Sequence, residues 1–187
     1  MSIPSRNADP SQIVQDNRTF FVTTKTHMGK RLLQTDRNAT LLIDVLRSCV
    51  RAGRFTLHDF VIMPDHIHLL LTTSAGVTLE KAMQFIKGGF SFRLQHESGY
   101  AGEVWQRGFS DHRVHDPDSF AGHCRYIAEN PVKMGLATSP EDFPWCFRAL
   151  ARQKTSQAKP IAAKGDGGPK TACGSKEAPD GATFRHG

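Results

Sequence analysis

The chain is predicted to be an α+β protein, a ferredoxin-like antiparallel sheet of the split βαβ kind with one additional C-terminal helix. Three observations lead there. Strand-like and helix-like segments alternate in the order β-α-β-β-α-β. Two of the strands meet so tightly, at Pro64-Asp65, that they read as a hairpin. One more helical segment follows the last strand, and it carries a tyrosine, Tyr126.

Each element has its own reason. Thr19 to Thr24 (TFFVTT) is a strand by its β-branched and aromatic content. Asp36 to Arg51 is an amphipathic helix: Leu41, Leu42, Val45, Leu46, Cys49 and Val50 form one apolar stripe, and Gly53 can end it. Thr56 to Met63 and His66 to Thr72 are the hairpin strands. Leu79 to Leu94 is a second helix, capped by Thr78, with Met83, Phe85, Ile86, Phe90 and Leu94 on its buried side. Gly88-Gly89 in its middle implies a kink or a close backbone approach. Val104 to Val114 holds the fourth strand. Asp118 to Glu129 is a third helix, expected to stop at Asn130-Pro131. Helices gathered on one face of the sheet would leave the other face free for a site.

The 187 residues suffice for one domain with some surplus, and 39% hydrophobic content with 12 Phe can build one core. We expect a flexible N-terminus over 1–15, the domain over 16–152 and a disordered basic tail over 153–187, rich in Gly, Ala, Lys and Pro. No apolar run approaches the roughly 20 residues that span a bilayer. The polar start, Met1 to Asp16, lacks a signal-peptide core, so a cytoplasmic setting is expected. Cys49, Cys124, Cys146 and Cys173 form no C-x-x-C pair, which suits reduced thiols better than disulfides or a zinc knuckle. The net charge of +6 favours a polyanionic partner, although the tail, with six Lys/Arg against three Asp/Glu, holds half of it.

His66-Ile67-His68 is the first informative constellation. On a strand, residues two apart share a face, so both imidazoles project together while Ile67, Leu69 and Leu71 point the other way. Two neutral imidazoles on a rigid strand make part of a metal site, or simply a half-buried polar pair. Tyr126 and Asn130 supply a second half, since four residues apart on a helix puts them on one face. An Asn130 amide oxygen could complete the ligands and leave positions open for phosphate oxygens. The plainer alternative packs the Tyr126 ring in the core and uses Asn130 as a helix cap.

Other residues carry weaker signals. Asp65 could orient an imidazole as a supporting carboxylate, though Asp is common at tight turns. His112 falls on the fourth strand and could reach the site or a polyanionic partner. Trp105 reads as core, and Tyr100 lies in a Gly-flanked loop as the lesser nucleophile candidate. Lys25, Lys30, Arg31 and Arg37 follow the first strand, Arg47, Arg51 and Arg54 decorate the end of the first helix, and Lys87, Arg93, Arg107 and Arg113 could extend a phosphate-tracking rim.

The motifs, taken together, resemble a known family. FVIMPDHIHLLL at 60–71 resembles the HUH signature of single-tyrosine transposases, two histidines about one bulky apolar residue. VWQRGFSDHRV at 104–114 and YIAENPVKMGL at 126–136 resemble the later motifs of that superfamily, above all in its REP-associated tyrosine transposase branch. FPWCF at 143–147 resembles the closing aromatic segment, with Cys146-Phe147 where a Ser pair usually follows the Trp.

The resemblance implies metal-dependent cleavage and strand transfer of single-stranded DNA at hairpin-forming repeats. Tyr126 would be the nucleophile that forms a 5′-phosphotyrosine link. His66, His68 and Asn130 would hold Mg²⁺ or Mn²⁺, and a monomer is the expected state. One rival is a domesticated hairpin-DNA-binding protein without productive cleavage. A second, a histidine-based nucleotide hydrolase or transferase, wants a third alternating histidine where this chain has Leu70.

Overall fold

Strand β1 (Thr19–Lys25) lies at the centre of a four-stranded sheet. β3 (His66–Thr73) pairs with it on one side and β4 (Ser110–Val114) on the other, while β2 (Phe55–Ile62) forms the far edge beyond β3. Every pairing is antiparallel and the spatial order is β2-β3-β1-β4. Helices α1 (Asp36–Arg51) and α2 (Leu79–Ser98) follow β1 and β3, and α3 (Pro117–Lys133) follows β4. This is the α+β, ferredoxin-like arrangement with an added helix that the element order predicts. The computed structural model describes residues 18–148. The expected N-terminal segment 1–15 and basic tail 153–187 lie outside the described residues.

Period-two alternation splits the sheet into two faces with different coverings. Val22, Phe60, Ile62, Ile67, Leu69 and Leu71 meet Leu42, Leu46, Ile86 and Phe90 of α1 and α2 in the main core. Phe21, Val61, Met63 and Leu70 form a smaller cluster on the opposite face with Ile127 of α3, Phe143 and Cys146. The face left open by α1 and α2 is therefore partly roofed by α3, and His66 and His68 point into it.

Helix α1 has the bounds its apolar stripe predicts. The Thr35 hydroxyl accepts from the Asn38 N–H at its start, and Gly53 takes up φ 65° just after its end. Thr78 caps α2 as expected, accepting from the Lys81 N–H.

Three boundaries differ from the sequence reading by more than one residue, each for a local reason. Helix α2 continues from Leu94 to Ser98, where Gly99 stops it in the left-handed region at φ 69°. Gly88-Gly89 leave α2 unbroken, and it is Gly89 that serves close approach: a Cβ there would stand 3.1 Å from Val45 Cγ1 of α1. Strand β4 is shorter than predicted, because Trp105 forms an isolated bridge with Thr26 and donates its indole N–H to the Lys87 carbonyl at 3.0 Å. Gly108, at φ 72°, then turns the chain before pairing begins at Ser110. Helix α3 runs through Asn130-Pro131 to Lys133. Pro131 forfeits its own bond to the Ile127 carbonyl, and burial of Ile127, Ala128, Asn130 and Pro131 holds the last turn in place. Among the described residues no helix is long and apolar enough to cross a membrane.

Candidate active site

The site forms where β3, β1 and α3 converge. His66 and His68 share a face of β3, with ring centroids 4.8 Å apart. Thr23 stands directly across from His68 in the β1–β3 register, and its Oγ1 lies 2.8 Å from His68 Nδ1. On the far side of the same ring, Asn130 Nδ2 is 3.3 Å from His68 Nε2.

Burial decides the protonation of His68. The residue is 4% exposed. Loss of solvent, followed by the proximity of His66 and Lys25, lowers its pKa to about 3. The ring is neutral at physiological pH, so one nitrogen donates and the other accepts. With Nδ1–H given to the Thr23 hydroxyl, Nε2 keeps its lone pair and accepts from Asn130. Asp65 Oδ1 sits 2.7 Å from His66 Nδ1, which in the neutral ring places the proton on Nδ1 and the lone pair on Nε2.

Asn130 has a further property. Its Oδ1 is buried and without a hydrogen-bond partner, an arrangement that costs roughly 1–3 kcal/mol in an ordinary interior. Among the described residues no three of His, Cys, Asp and Glu gather as metal ligands. A cation held here would therefore take two imidazole nitrogens and this amide oxygen, a mixed nitrogen–oxygen set open to a divalent ion with room for further oxygen ligands. The donors present fit such an ion, and the unpartnered Oδ1 is the observation that says so.

Tyr126 stands one helical turn before Asn130. Its ring meets His68 edge-on with centroids 5.2 Å apart, and Phe21 at 5.6 Å. It remains 42% exposed, so the ring is not sealed into the core. Lys133 lies 5.6 Å above the same ring while pairing with Glu129 at 2.9 Å. Phe21 is layered between His123, at 4.4 Å, and His68, at 5.4 Å, both nearly parallel to it. His112 occupies the β4 position opposite Phe21. Burial and then His112 lower the pKa of His123.

Sequence reasoning missed Thr23, Phe21 and His123. Only the first was findable: once β1 is paired with β3, the strand register names the residue opposite His68. His123 lies on α3 one turn before Ile127, and nothing in its local sequence marks it.

The basic residues do not gather in one place. Lys25 pairs in register with His66 at one end of the sheet, and Lys30 and Arg31 follow on the adjoining turn, near Tyr100 and Gln34 respectively. Arg37 donates to the Glu97 carbonyl at the end of α2. Arg51 and Arg54 stand where β2 begins, at the end of the sheet away from His66, and Arg54 lies 3.9 Å over the Phe85 ring. Lys87 holds the Gln106 and Gly108 carbonyls at 2.8 Å each. Arg47 and Arg93 are tied to Asp44 and Glu97. Arg107 lies in the loop before β4, and Arg113 on β4 opposite Phe20. The Tyr100 hydroxyl donates to the Glu103 carbonyl at 3.3 Å.

Comparison with known proteins gives this geometry a family. A putative REP-associated tyrosine transposase from Haemophilus influenzae is 28% identical over 127 residues, covering 59% of this chain and 72% of the relative. A REP-associated tyrosine transposase from Escherichia coli K12 is 26% identical over 148 residues, covering 79% and 84%. Among solved structures, a REP-associated tyrosine transposase bound to a REP hairpin has the same fold, with a TM-score of 0.63 at 24% identity over 89% of this chain and 93% of that one. The family described as "Transposase IS200 like" matches residues 20–130, a span from β1 to the last turn of α3 that includes His66, His68, Tyr126 and Asn130. With that match extending over more than half its length, the chain belongs to the IS200-like transposase family.

Proposed function

We propose that the protein cleaves and rejoins single-stranded DNA by transesterification, with Tyr126 as the nucleophile. The phenolic oxygen attacks a phosphodiester phosphorus and the P–O3′ bond breaks. The phenolic proton is balanced by the proton gained on the released 3′-hydroxyl, and the 5′-phosphate stays on the tyrosine. A 3′-hydroxyl attacking that phosphotyrosine reverses the step, so rejoining needs no nucleotide cofactor.

The observation that carries this reading is the meeting of the half-exposed Tyr126 ring with the His66–His68 pair and an unpartnered amide oxygen. His66, His68 and Asn130 would hold Mg²⁺ or Mn²⁺, which when bound neutralises phosphate charge and polarises the scissile bond. Turning the Asn130 amide over would set Oδ1 beside His68 Nε2, repulsive between two lone pairs alone and favourable with a cation to share. Thr23 and Asp65 fix the ring tautomers, and burial keeps His68 unprotonated and able to ligate. Phe21 holds the His68 and Tyr126 rings in their mutual orientation.

Hairpin-forming DNA is the proposed substrate, on the strength of the relatives and of the solved structure bound to a REP hairpin. Lys25, Lys30 and Arg31 at the His66 end of the sheet are the proposed phosphate contacts nearest the site. The catalytic unit is residues 16–152, working in the cytoplasm. Tyr126 stands beside histidines of its own chain, which supports a monomer as the active unit.

The test is incubation of the full chain with labelled single-stranded hairpin oligonucleotides and Mn²⁺, with covalent adducts resolved on denaturing gels. A metal-dependent adduct is expected, absent in Tyr126→Phe. Hairpin binding with no adduct would replace this reading with that of a binding protein. An adduct surviving in Tyr126→Phe would move the nucleophile elsewhere.

A further inference from the structure

Strand β2 does not keep its alternation. Phe55 and Leu57 face α1 and α2, and so do Phe60 and Ile62, so the parity changes between 57 and 60. The register shows where: Leu57 pairs with Leu71 and Asp59 with Leu70, leaving His58 as the extra residue of a β-bulge. The result is that two consecutive polar side chains, His58 and Asp59, turn toward the face covered by α3.

Both meet that helix. The His58 ring lies edge-on to Phe120 at 5.3 Å, while its Nε2 is held 2.7 Å from Thr72 Oγ1. Asp59 is 6% exposed, accepts the Phe60 N–H at 2.8 Å, and lies beside Cys124 of α3. Burial, reinforced by the neighbouring Asp59, raises the Cys124 pKa, so the thiol beside the carboxylate keeps its proton. Phe120 and Cys124 are one turn apart on α3, and the same helix presents Tyr126 and Asn130 to the histidines. Leu70, opposite the bulge, is two residues from His68.

We propose that the His58–Asp59 bulge is the seat of the tyrosine helix: His58 meets Phe120, and Asp59 is a positioning residue that sets Tyr126 against the histidines through its contact with Cys124. The inference rests on Tyr126 being the nucleophile. A regular β2 would turn His58 or Asp59 into the apolar core under α1 and α2. The bulge aims both polar groups at α3 instead. A buried carboxylate is an expensive way to fill space, since an apolar residue of similar size packs without loss of solvation. Its place here follows if what it contributes is direction: a polar contact with Cys124 holds α3 to β2 two residues before Tyr126, about 3 Å along the helix axis at the usual rise.

The experiment uses the full chain carrying Asp59→Ala, Cys124→Ala, both together, and Asp59→Asn, which keeps an acceptor for the thiol. Three quantities are read: hairpin dissociation constant, single-turnover rate of adduct formation at saturating DNA with Mn²⁺, and amide hydrogen exchange of α3 against α1. Each alanine variant is expected to slow the adduct about tenfold, because a displaced nucleophile loses attack geometry. Hairpin affinity should hold within about twofold, the double variant should be no slower than either single one, and Asp59→Asn should restore most of the rate. Exchange should rise in α3 and stay level in α1. Additive slowing, an unchanged rate, or exchange rising equally in both helices would overturn the seat. Should the unaltered protein form no adduct with any hairpin, the tyrosine reading fails by itself. The exchange comparison then still decides whether Asp59 and Cys124 anchor α3, and Cys124→Ala carries it if Asp59→Ala does not fold.

Discussion

Strand β3 presents two surfaces made by neighbouring residues. Ile67, Leu69 and Leu71 are fully buried under α1 and α2, while His66 and His68, one residue away in each direction, turn under α3. The first surface is closed by apolar packing alone. The second is closed by Phe21, Leu70 and Ile127 but is threaded with Thr23, Asn130, His58 and Asp59, polar groups that need particular partners. One face is arranged for stability, and the other gives some up to hold donor atoms in place. Substitutions on the two faces should therefore fail in different ways.

The sharpest test lies between adjacent residues. Ile67→Ala empties part of the main core and should lower unfolding free energy by about 2–5 kcal/mol, read by denaturant titration. The Ile67→Ala molecules that remain folded should form adduct at the normal rate. His66→Ala, at a partly exposed position, should leave the denaturation midpoint nearly unchanged while slowing Mn²⁺-dependent adduct formation by at least about 100-fold. Equal losses of stability from the two substitutions would break the division between faces.

That division was legible in the sequence to a definite depth. The period of two in His66-Ile67-His68 separates the faces without any coordinates, and the stripe from Leu41 to Val50 marks α1. Four-residue spacing places Tyr126 and Asn130 on one side of α3. What could not be read were relations between segments. Thr23 becomes a partner of His68 only through strand register, which alternation leaves undetermined. The bulge at His58 reverses parity inside β2, and Thr56 to Met63 looks like a plain strand because both of its halves alternate correctly. Asn130-Pro131 reads as a helix end by backbone preference, and tertiary burial of that last turn overrides the preference.

A pH series separates the faces by another route. Burial raises the pKa of Asp59 to about 6 from an ordinary 3.8, opposed by its bond from Phe60 and by Arg148 and Cys124. The folded state thus holds this proton more tightly than the unfolded chain. Asp59 leaves stability undiminished below about pH 4, and its penalty grows as pH rises to about 6 and is complete above, at roughly 3 kcal/mol. Asp59→Asn should remove this decline and be the more stable protein at pH 7.5 by urea denaturation. A variant with the same pH slope as the unaltered protein would show that the carboxyl is solvated in the folded state.

The next effect is smaller and local to the site. Thr23→Val keeps the volume on β1 but takes away the acceptor at His68 Nδ1, freeing the ring to change tautomer. Weakening of Mn²⁺ affinity by about tenfold is expected, with hairpin binding in the absence of metal unaltered. Titration calorimetry with the metal reads the first quantity and fluorescence anisotropy the second. An unchanged Mn²⁺ affinity would mean that Asn130 alone orients His68.

The smallest effect concerns the stable face and its two helical glycines. A Cβ on Gly88 would meet nothing within 4 Å, so Gly88→Ala should stabilise the protein by up to about 1 kcal/mol through reduced backbone freedom in the unfolded chain. Gly89→Ala has the same gain available but places its Cβ 3.1 Å from Val45 Cγ1, a contact that must be relieved by moving α1 from α2. Its measured stability should fall below that of Gly88→Ala. Because both substitutions act on the surface opposite the histidines, adduct rate should stay the same in each. If Gly89→Ala slowed the adduct at unchanged stability, displacement of α1 and α2 would be transmitted through the sheet to Tyr126, and the two faces would have to be treated as one mechanical unit.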